Sequence, residues 1–121
     1  MPYQIQDQEG FVEVQGSGKL SFLEVLSALH ELHVKFPLKE VSDLWVLPDN
    51  AVIPPLATFP AITKFVRGFC LKGFFGKKTA IVSRGALQHA FVDLYEKEAK
   101  SLPFETRSFS SREQAINWLK S

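Results

Sequence analysis

Val41-Ser42-Asp43-Leu44-Trp45-Val46-Leu47 closes on four consecutive apolar residues and runs straight into Pro48-Asp49-Asn50, an ordinary turn sequence. A short apolar run without alternation, stopped by a turn signal, reads as a strand covered on both faces, the kind found in the middle of a sheet flanked by helices. On its C-terminal side, residues 48–60 hold four prolines and read as loop. Thr58 followed by Pro60 then marks a helix start, with Ile62, Phe65, Val66 and Phe69 as the apolar face. Residues 72–78 contain two glycines and form a turn, and Thr79-Ala80-Ile81-Val82 is the next buried strand. Ser83 is placed to cap a helix over about 86–100, whose core side is Leu87, Phe91, Leu94 and Leu102.

On the N-terminal side, Tyr3-Gln4-Ile5-Gln6 and Phe11-Val12-Glu13-Val14 alternate apolar and polar residues. They predict two half-buried strands joined by Gln8-Glu9-Gly10 into a hairpin. Gly16-Ser17-Gly18 breaks the pattern, and Ser21 with Glu24 opens a capped helix that ends at Pro37. Its helically spaced positions are Phe22, Val25, Leu26, Leu29, Leu32, His33 and Phe36. Near the C-terminus, Phe104 to Phe109 alternates as a short, more exposed strand. Ser110-Ser111-Arg112-Glu113 is a capping box opening a last helix that buries Ala115, Ile116, Leu119 and part of Trp118. The order β-β-α-β-α-β-α-β-α predicts one α/β domain over residues 1–121, with about four helices and a mixed, mostly parallel sheet that begins with an antiparallel hairpin.

Composition narrows the function classes. The chain has 121 residues, 45% hydrophobic and 22% charged, with eleven Phe and two Trp, which excludes a disordered or membrane-embedded chain. No apolar run approaches a membrane span, and Met1-Pro2-Tyr3-Gln4-Ile5-Gln6-Asp7 lacks the basic and then apolar pattern of a secretory signal, so a cytoplasmic location is expected. The single cysteine, Cys70, excludes an internal disulfide and a zinc site built on several thiolates. The net charge of +1 conceals an asymmetry: residues 1–49 carry three basic and eight acidic side chains, residues 50–92 six basic and none acidic, and residues 93–121 five of each.

Four segments resemble a known family: Thr79-Ala80-Ile81-Val82-Ser83; Ala90-Phe91-Val92-Asp93-Leu94-Tyr95-Glu96; Leu102-Pro103-Phe104-Glu105-Thr106-Arg107-Ser108-Phe109; and Glu113-Gln114-Ala115-Ile116-Asn117-Trp118-Leu119. Together they look like the C-terminal half of small bacterial STAS/Sec14-like proteins, which have the SpoIIAA-like fold. The strand closed by Phe and the following helix with Ala and Trp-Leu are the most specific part, and the earlier elements agree in order and length. The resemblance implies a non-enzymatic interaction or regulatory module, or a carrier of an apolar or anionic ligand. STAS-type anti-sigma factor antagonists place a phosphorylatable Ser or Thr just after the central strand, where a phosphate meets a helix N-terminus. Here that stretch is Leu47-Pro48-Asp49-Asn50-Ala51, without a hydroxyl; Thr58 is the first available, so a phosphorylation switch at the usual place is not expected.

The run from Lys64 to Lys78 interleaves cations and aromatics: Lys64, Arg67, Lys72, Lys77 and Lys78 with Phe65, Phe69, Phe74 and Phe75. Such a mixture can grip a membrane surface, an anionic lipid head group or a nucleic-acid backbone. The competing reading puts Phe65 and Phe69 in the core and leaves the cations solvated. Phe74-Phe75 between glycines is harder to bury and suggests a contact with a partner or a second subunit. The candidate surface therefore comprises Asp49, Asn50, Thr58, Phe59, Lys64, Arg67, Lys72, Phe74, Phe75, Lys77 and Lys78, with Asp49 at the carboxyl end of the buried strand. In a carrier, Phe59, Phe65, Phe69 and Phe74 would line the pocket. Nucleic acid is not an expected partner: the pI is near 7.9, the aromatics miss the strand motif that stacks bases, and no phosphate-loop spacing occurs. His30 and His33 lack a third ligand, His89 reads as surface, Cys70 as a packed thiol, and no metal or cofactor is expected. A homodimer fits the small size and the exposed aromatics.

Overall fold

The computed structural model describes residues 3–8, 10–16, 21–35, 42–47, 56–70, 78–83, 85–101 and 104–121. Strands β1 (Tyr3–Gln8), β2 (Phe11–Gly16), β3 (Ser42–Val46), β4 (Lys78–Val82) and β5 (Glu105–Phe109) form one sheet in the order β1-β2-β3-β4-β5. The first pair is antiparallel and the other three are parallel. The hairpin turn uses Gly10 at φ 86°, a conformation that a side chain would strain. Helices α1 (Phe22–Lys35), α2 (Phe59–Cys70) and α3 (Ala86–Glu98) connect successive parallel strands, and α4 (Arg112–Leu119) follows β5. Single-turn 3-10 segments, Leu56–Thr58 and Ala99–Ser101, precede α2 and follow α3.

This topology dictates which face each helix covers. When crossovers of one hand always step to the next strand in the same direction, their helices all land on the same side of the sheet. Accordingly, one core joins Val12, Val14, Trp45 and Ile81 of the sheet to Val25, Leu29 and Leu32 of α1, Phe59, Ile62 and Val66 of α2 and Val92 of α3. The opposite face packs Phe11, Leu44, Ala80 and Val82 against Ala115 and Leu119 of α4. The strand register produces this split: Val14, Trp45, Ile81 and Ser108 are aligned across the sheet on the three-helix side, and Glu13, Leu44, Ala80 and Arg107 on the α4 side.

Most expectations from the sequence hold, and the differences have physical reasons. β3 is buried throughout its middle, as expected, but β2 is too, from Phe11 to Val14. Its alternation had suggested one wet face; α4 covers that face and encloses Glu13. The α1 capping box forms as read, with Glu24 N–H donating to Ser21 Oγ (3.3 Å) and Ser21 N–H to Glu24 Oε2 (3.2 Å). At α4 the N-cap is Ser111, whose Oγ accepts from Gln114 N–H, rather than Ser110 paired with Glu113. Ser83 does not cap α3; Gly85 occupies the cap position without a side-chain bond. On α3, Leu94 is 44% exposed rather than buried, whereas Val92 and Ala99 are buried with Tyr95 packed against them. Ranking leucine above tyrosine misassigned that position, since a tyrosine ring buries more area than leucine when its hydroxyl is accommodated. The side chains of His33, Phe69, Cys70, Leu87 and Phe91 lie outside the described part, as do Phe36, Pro37 and Leu102.

Candidate functional site

Helix α2 begins at Phe59 with Pro60 in its first turn, where a missing N–H costs nothing. Its periodicity sends Phe59, Ile62 and Val66 into the core. The Phe59 ring meets Tyr95 edge-to-face, with centroids 5.5 Å apart and planes at 87°. Burial then pushes the Tyr95 phenol well above its ordinary value, with the nearby Asp43 and Glu98 carboxylates adding to the effect, so it stays neutral. Thr63 is buried among these apolar groups because its hydroxyl bonds back to the Phe59 and Pro60 carbonyls at 3.3 and 3.0 Å. The same helix turns Pro60, Ala61, Lys64 and Arg67 to solvent, with Ala57 exposed just ahead of it. No acidic residue occurs in α2, and the residues it turns outward are two small apolar ones and two cations.

Of the eleven residues singled out from sequence, Thr58, Lys64 and Arg67 therefore gather on and just before α2, with Thr58 partly exposed. Two others are corrected. Phe59 is 6% exposed and belongs to the core, not to a contact surface. Lys78 lies in β4, not in the preceding turn, and its Nζ is engaged within the chain: it donates to Trp118 O (3.0 Å), Ser121 O (3.1 Å) and Ser121 Oγ (2.9 Å) and stands 5.2 Å from the centroid of the Trp118 ring. It neutralises the carbonyl end of α4. Asp49, Asn50, Lys72, Phe74, Phe75 and Lys77 lie outside the described residues.

Three polar clusters escaped the sequence reading. The first is Glu13, fully buried on β2, which accepts two hydrogen bonds from the Arg112 guanidinium (Nη2 to Oε1 2.6 Å, Nε to Oε2 3.0 Å) and one each from Gln8 and Gln15. The Arg112 bond, aided by Gln15 and Gln8, holds the Glu13 carboxyl below the usual carboxylate range against the opposing effect of burial, and in return Arg112 is held above its own ordinary value. The second is Asp43, 2% exposed, which accepts from Thr79 Oγ1 at 2.7 Å and Trp45 Nε1 at 2.8 Å. Thr106 continues that row on β5, and its Oγ1 is enclosed without a hydrogen-bond partner among the described residues.

The third cluster ties the carboxyl end of β4 to α3. Ser83 Oγ lies 3.2 Å from His89 Nδ1, His89 Nε2 lies 3.7 Å from Asp93 Oδ1, and the Ser108 hydroxyl lies 2.7 Å from both Asp93 Oδ1 and Glu96 Oε2. Serine, imidazole and carboxylate in sequence is the order of acyl-transfer triads, but here Ser83 is fully buried. Its chemistry here is to anchor the first turn of α3. A signal for these clusters did exist in the sequence: Asp43, Glu13 and Ser83 all sit within or at the end of apolar strands, where a polar side chain needs a partner. Among the described residues no group of three or more His, Cys, Asp or Glu side chains is arranged to hold a metal, and no helix is long and apolar enough to cross a membrane.

No protein-family model matches the sequence, and no curated protein matches it. Among solved structures, the chain is similar to an uncharacterized protein of the DUF3478 family with a SpoIIAA-like fold, from Shewanella loihica PV-4. The likeness covers 97% of this chain and 91% of that one, with a TM-score of 0.56 and 18% sequence identity. The fold, with its antiparallel opening pair, parallel remainder and four helices, is thus SpoIIAA-like.

Proposed function

We propose that this protein is a non-enzymatic module of the STAS-like kind that binds a protein partner of acidic surface, using the outer face of α2 together with the segments on either side of it. The observation that carries the reading is the division of α2: Phe59, Ile62 and Val66 fix the helix to the core, and Lys64 and Arg67 stand outward beside Pro60 and Ala61 with no carboxylate on the helix. A cationic face with small apolar residues between the charges offers electrostatic attraction and a flat surface for close approach. The packing of Phe59 into the core does not favour the carrier alternative, in which that ring would line a ligand pocket. Location in the cytoplasm and a regulatory role remain part of this proposal.

The test starts from a photo-crosslinking amino acid at Lys64 in the producing cell, followed by titration of the captured protein against the purified wild type and Lys64→Glu/Arg67→Glu. Loss of affinity of about tenfold or more in the variant, at unchanged thermal stability, supports the reading. Equal affinity of the two proteins sinks it, and so does a stoichiometric lipid-like adduct in native mass spectra, which would move the function to ligand carriage.

A further inference from the structure

The start of α3 has no cap of the usual kind. Gly85 at the cap position makes no side-chain bond, and no acidic residue stands in the first turn to meet the helix dipole. A side chain one turn in ties this end to the sheet instead: His89 Nδ1 lies 3.2 Å from the hydroxyl of fully buried Ser83, just past β4. The direction of that bond follows from the other side of the ring. His89 Nε2 faces Asp93 Oδ1 at 3.7 Å, and a carboxylate only accepts, so the neutral ring carries its proton on Nε2. Nδ1 is then bare and accepts the Ser83 proton. Asp93 is the less well served of two carboxylates. The Ser108 hydroxyl lies 2.7 Å from both Asp93 Oδ1 and Glu96 Oε2 but has one proton to give, and Glu96 also receives the Ser108 N–H at 2.9 Å.

We infer that His89 is a proton-operated latch on the start of α3: the neutral ring holds Ser83, and the protonated ring releases it and turns to Asp93. Protonation places a hydrogen on Nδ1, so that nitrogen no longer accepts, and the buried Ser83 hydroxyl loses the acceptor of its proton. The new charge also lies close to the helix N-terminus, where the dipole opposes a cation. What the ring gains in exchange is an ion pair with Asp93, four residues on along the same helix face. Both side chains are partly exposed, at 37% and 51%, which leaves the imidazole room to swing. With Gly85 as its cap, the first turn has no second side-chain tie among the described residues, so it loosens when the ring lets go. The charged groups facing the ring, among the described residues, are Asp93 on its own helix and, across the Ser108 hydroxyl, Glu96. From the strands it meets only the hydroxyls of Ser83 and Ser108. No residue of α2 takes part, so the latch stands or falls apart from the proposal for that helix.

Nuclear magnetic resonance of the intact, isotope-labelled protein tests both halves. At about pH 8 the ring correlations of His89 should show the proton on Nε2; a proton on Nδ1 overturns the inference. The second half is read from amide exchange between about pH 8 and 5, the span in which imidazoles take up a proton. Protection of the His89 and Ala90 amides, corrected for the intrinsic exchange rate, should fall about fivefold or more, while the buried centre of α1 stays within about twofold. His89→Gln, at a position exposed enough for the fold to survive, should abolish this step, and His30→Gln should keep it. Protection that does not change with pH, an equal fall in α1, or a step that persists in His89→Gln sinks the latch.

Discussion

The two faces of the sheet solve the same covering problem with different forces. Three helices cover one face, joining fully buried Val12, Ala28 and Leu32 with Phe59, Ile62 and Val92 and enclosing Asp43, Thr63 and Thr79 among them. Among the described residues the other face has a single eight-residue helix, too short to bury enough surface unaided. There the chain adds polar ties at both ends of the helix: Arg112 at its start reaches Glu13 on β2, and Lys78 of β4 reaches the carbonyls at its finish. Near that finish the Phe109 and Trp118 rings pack with centroids 5.6 Å apart. The broad face rests mainly on non-directional burial, and the narrow one adds directed bonds at both ends of its helix.

That contrast breaks if the substitutions below rank otherwise. Leu32→Ala, at a fully buried position of the three-helix core, should cost about 3 kcal/mol or more in urea denaturation at neutral pH. Arg112→Ala leaves Glu13 charged and enclosed; because the Arg112 side chain is itself 42% exposed, the loss should be smaller, about 2 kcal/mol. The same pair sets the acid response. The folded Glu13 carboxyl is held below its ordinary 4.5, so on acidification the unfolded chain takes up its proton first. The stability contributed by the pair is complete above that ordinary value and drains away as pH falls below it, through the lower folded value. Glu13→Gln should be less stable at neutral pH and should show a flatter loss between about pH 5 and acid denaturation than wild type, measured by urea midpoints at stepped pH.

Lys78→Met keeps the apolar stem but removes the bonds to the end of α4, with an expected loss of about 1 kcal/mol. Amide exchange should accelerate in the last turn of α4 and not in α1, which would locate the effect on the narrow face. The smallest change runs the other way: Thr106→Val replaces an enclosed hydroxyl, unpartnered among the described residues, with a methyl group of the same shape and should stabilise by about 0.5–1 kcal/mol, read as a raised melting temperature.

The pattern of legibility follows the same division. Apolar runs and punctuation were enough to place β3, β4, α1 and α2, because there a single force, burial, sets both period and position. What periodicity does not carry is which sheet face a later helix will cover. Alternation in β2 left Glu13 on a wet face, since nothing local announces that Arg112, 99 residues on, will return to enclose it. For the same reason Lys78 read as a surface cation in a basic turn, when its partners lie some forty residues downstream. In α3, Leu94 looked more buried than Tyr95, because composition ranks the residue types and the register of the helix on the sheet decides between neighbours. On α2, the outward placement of Lys64 and Arg67 follows directly from the inward placement of Ile62 and Val66, so that part of the candidate site was visible as soon as the helix was.

The strand order has a further consequence in time. Every strand pairs with the one made just before it, and none has to be inserted between two that are already joined. As the chain is synthesised, the β1–β2 hairpin can offer an edge to β3, β3 to β4, and β4 to β5, each addition closing a loop no longer than one crossover. The helix that completes the second face comes last, and the carboxylate it must reach has been waiting on β2 since near the beginning.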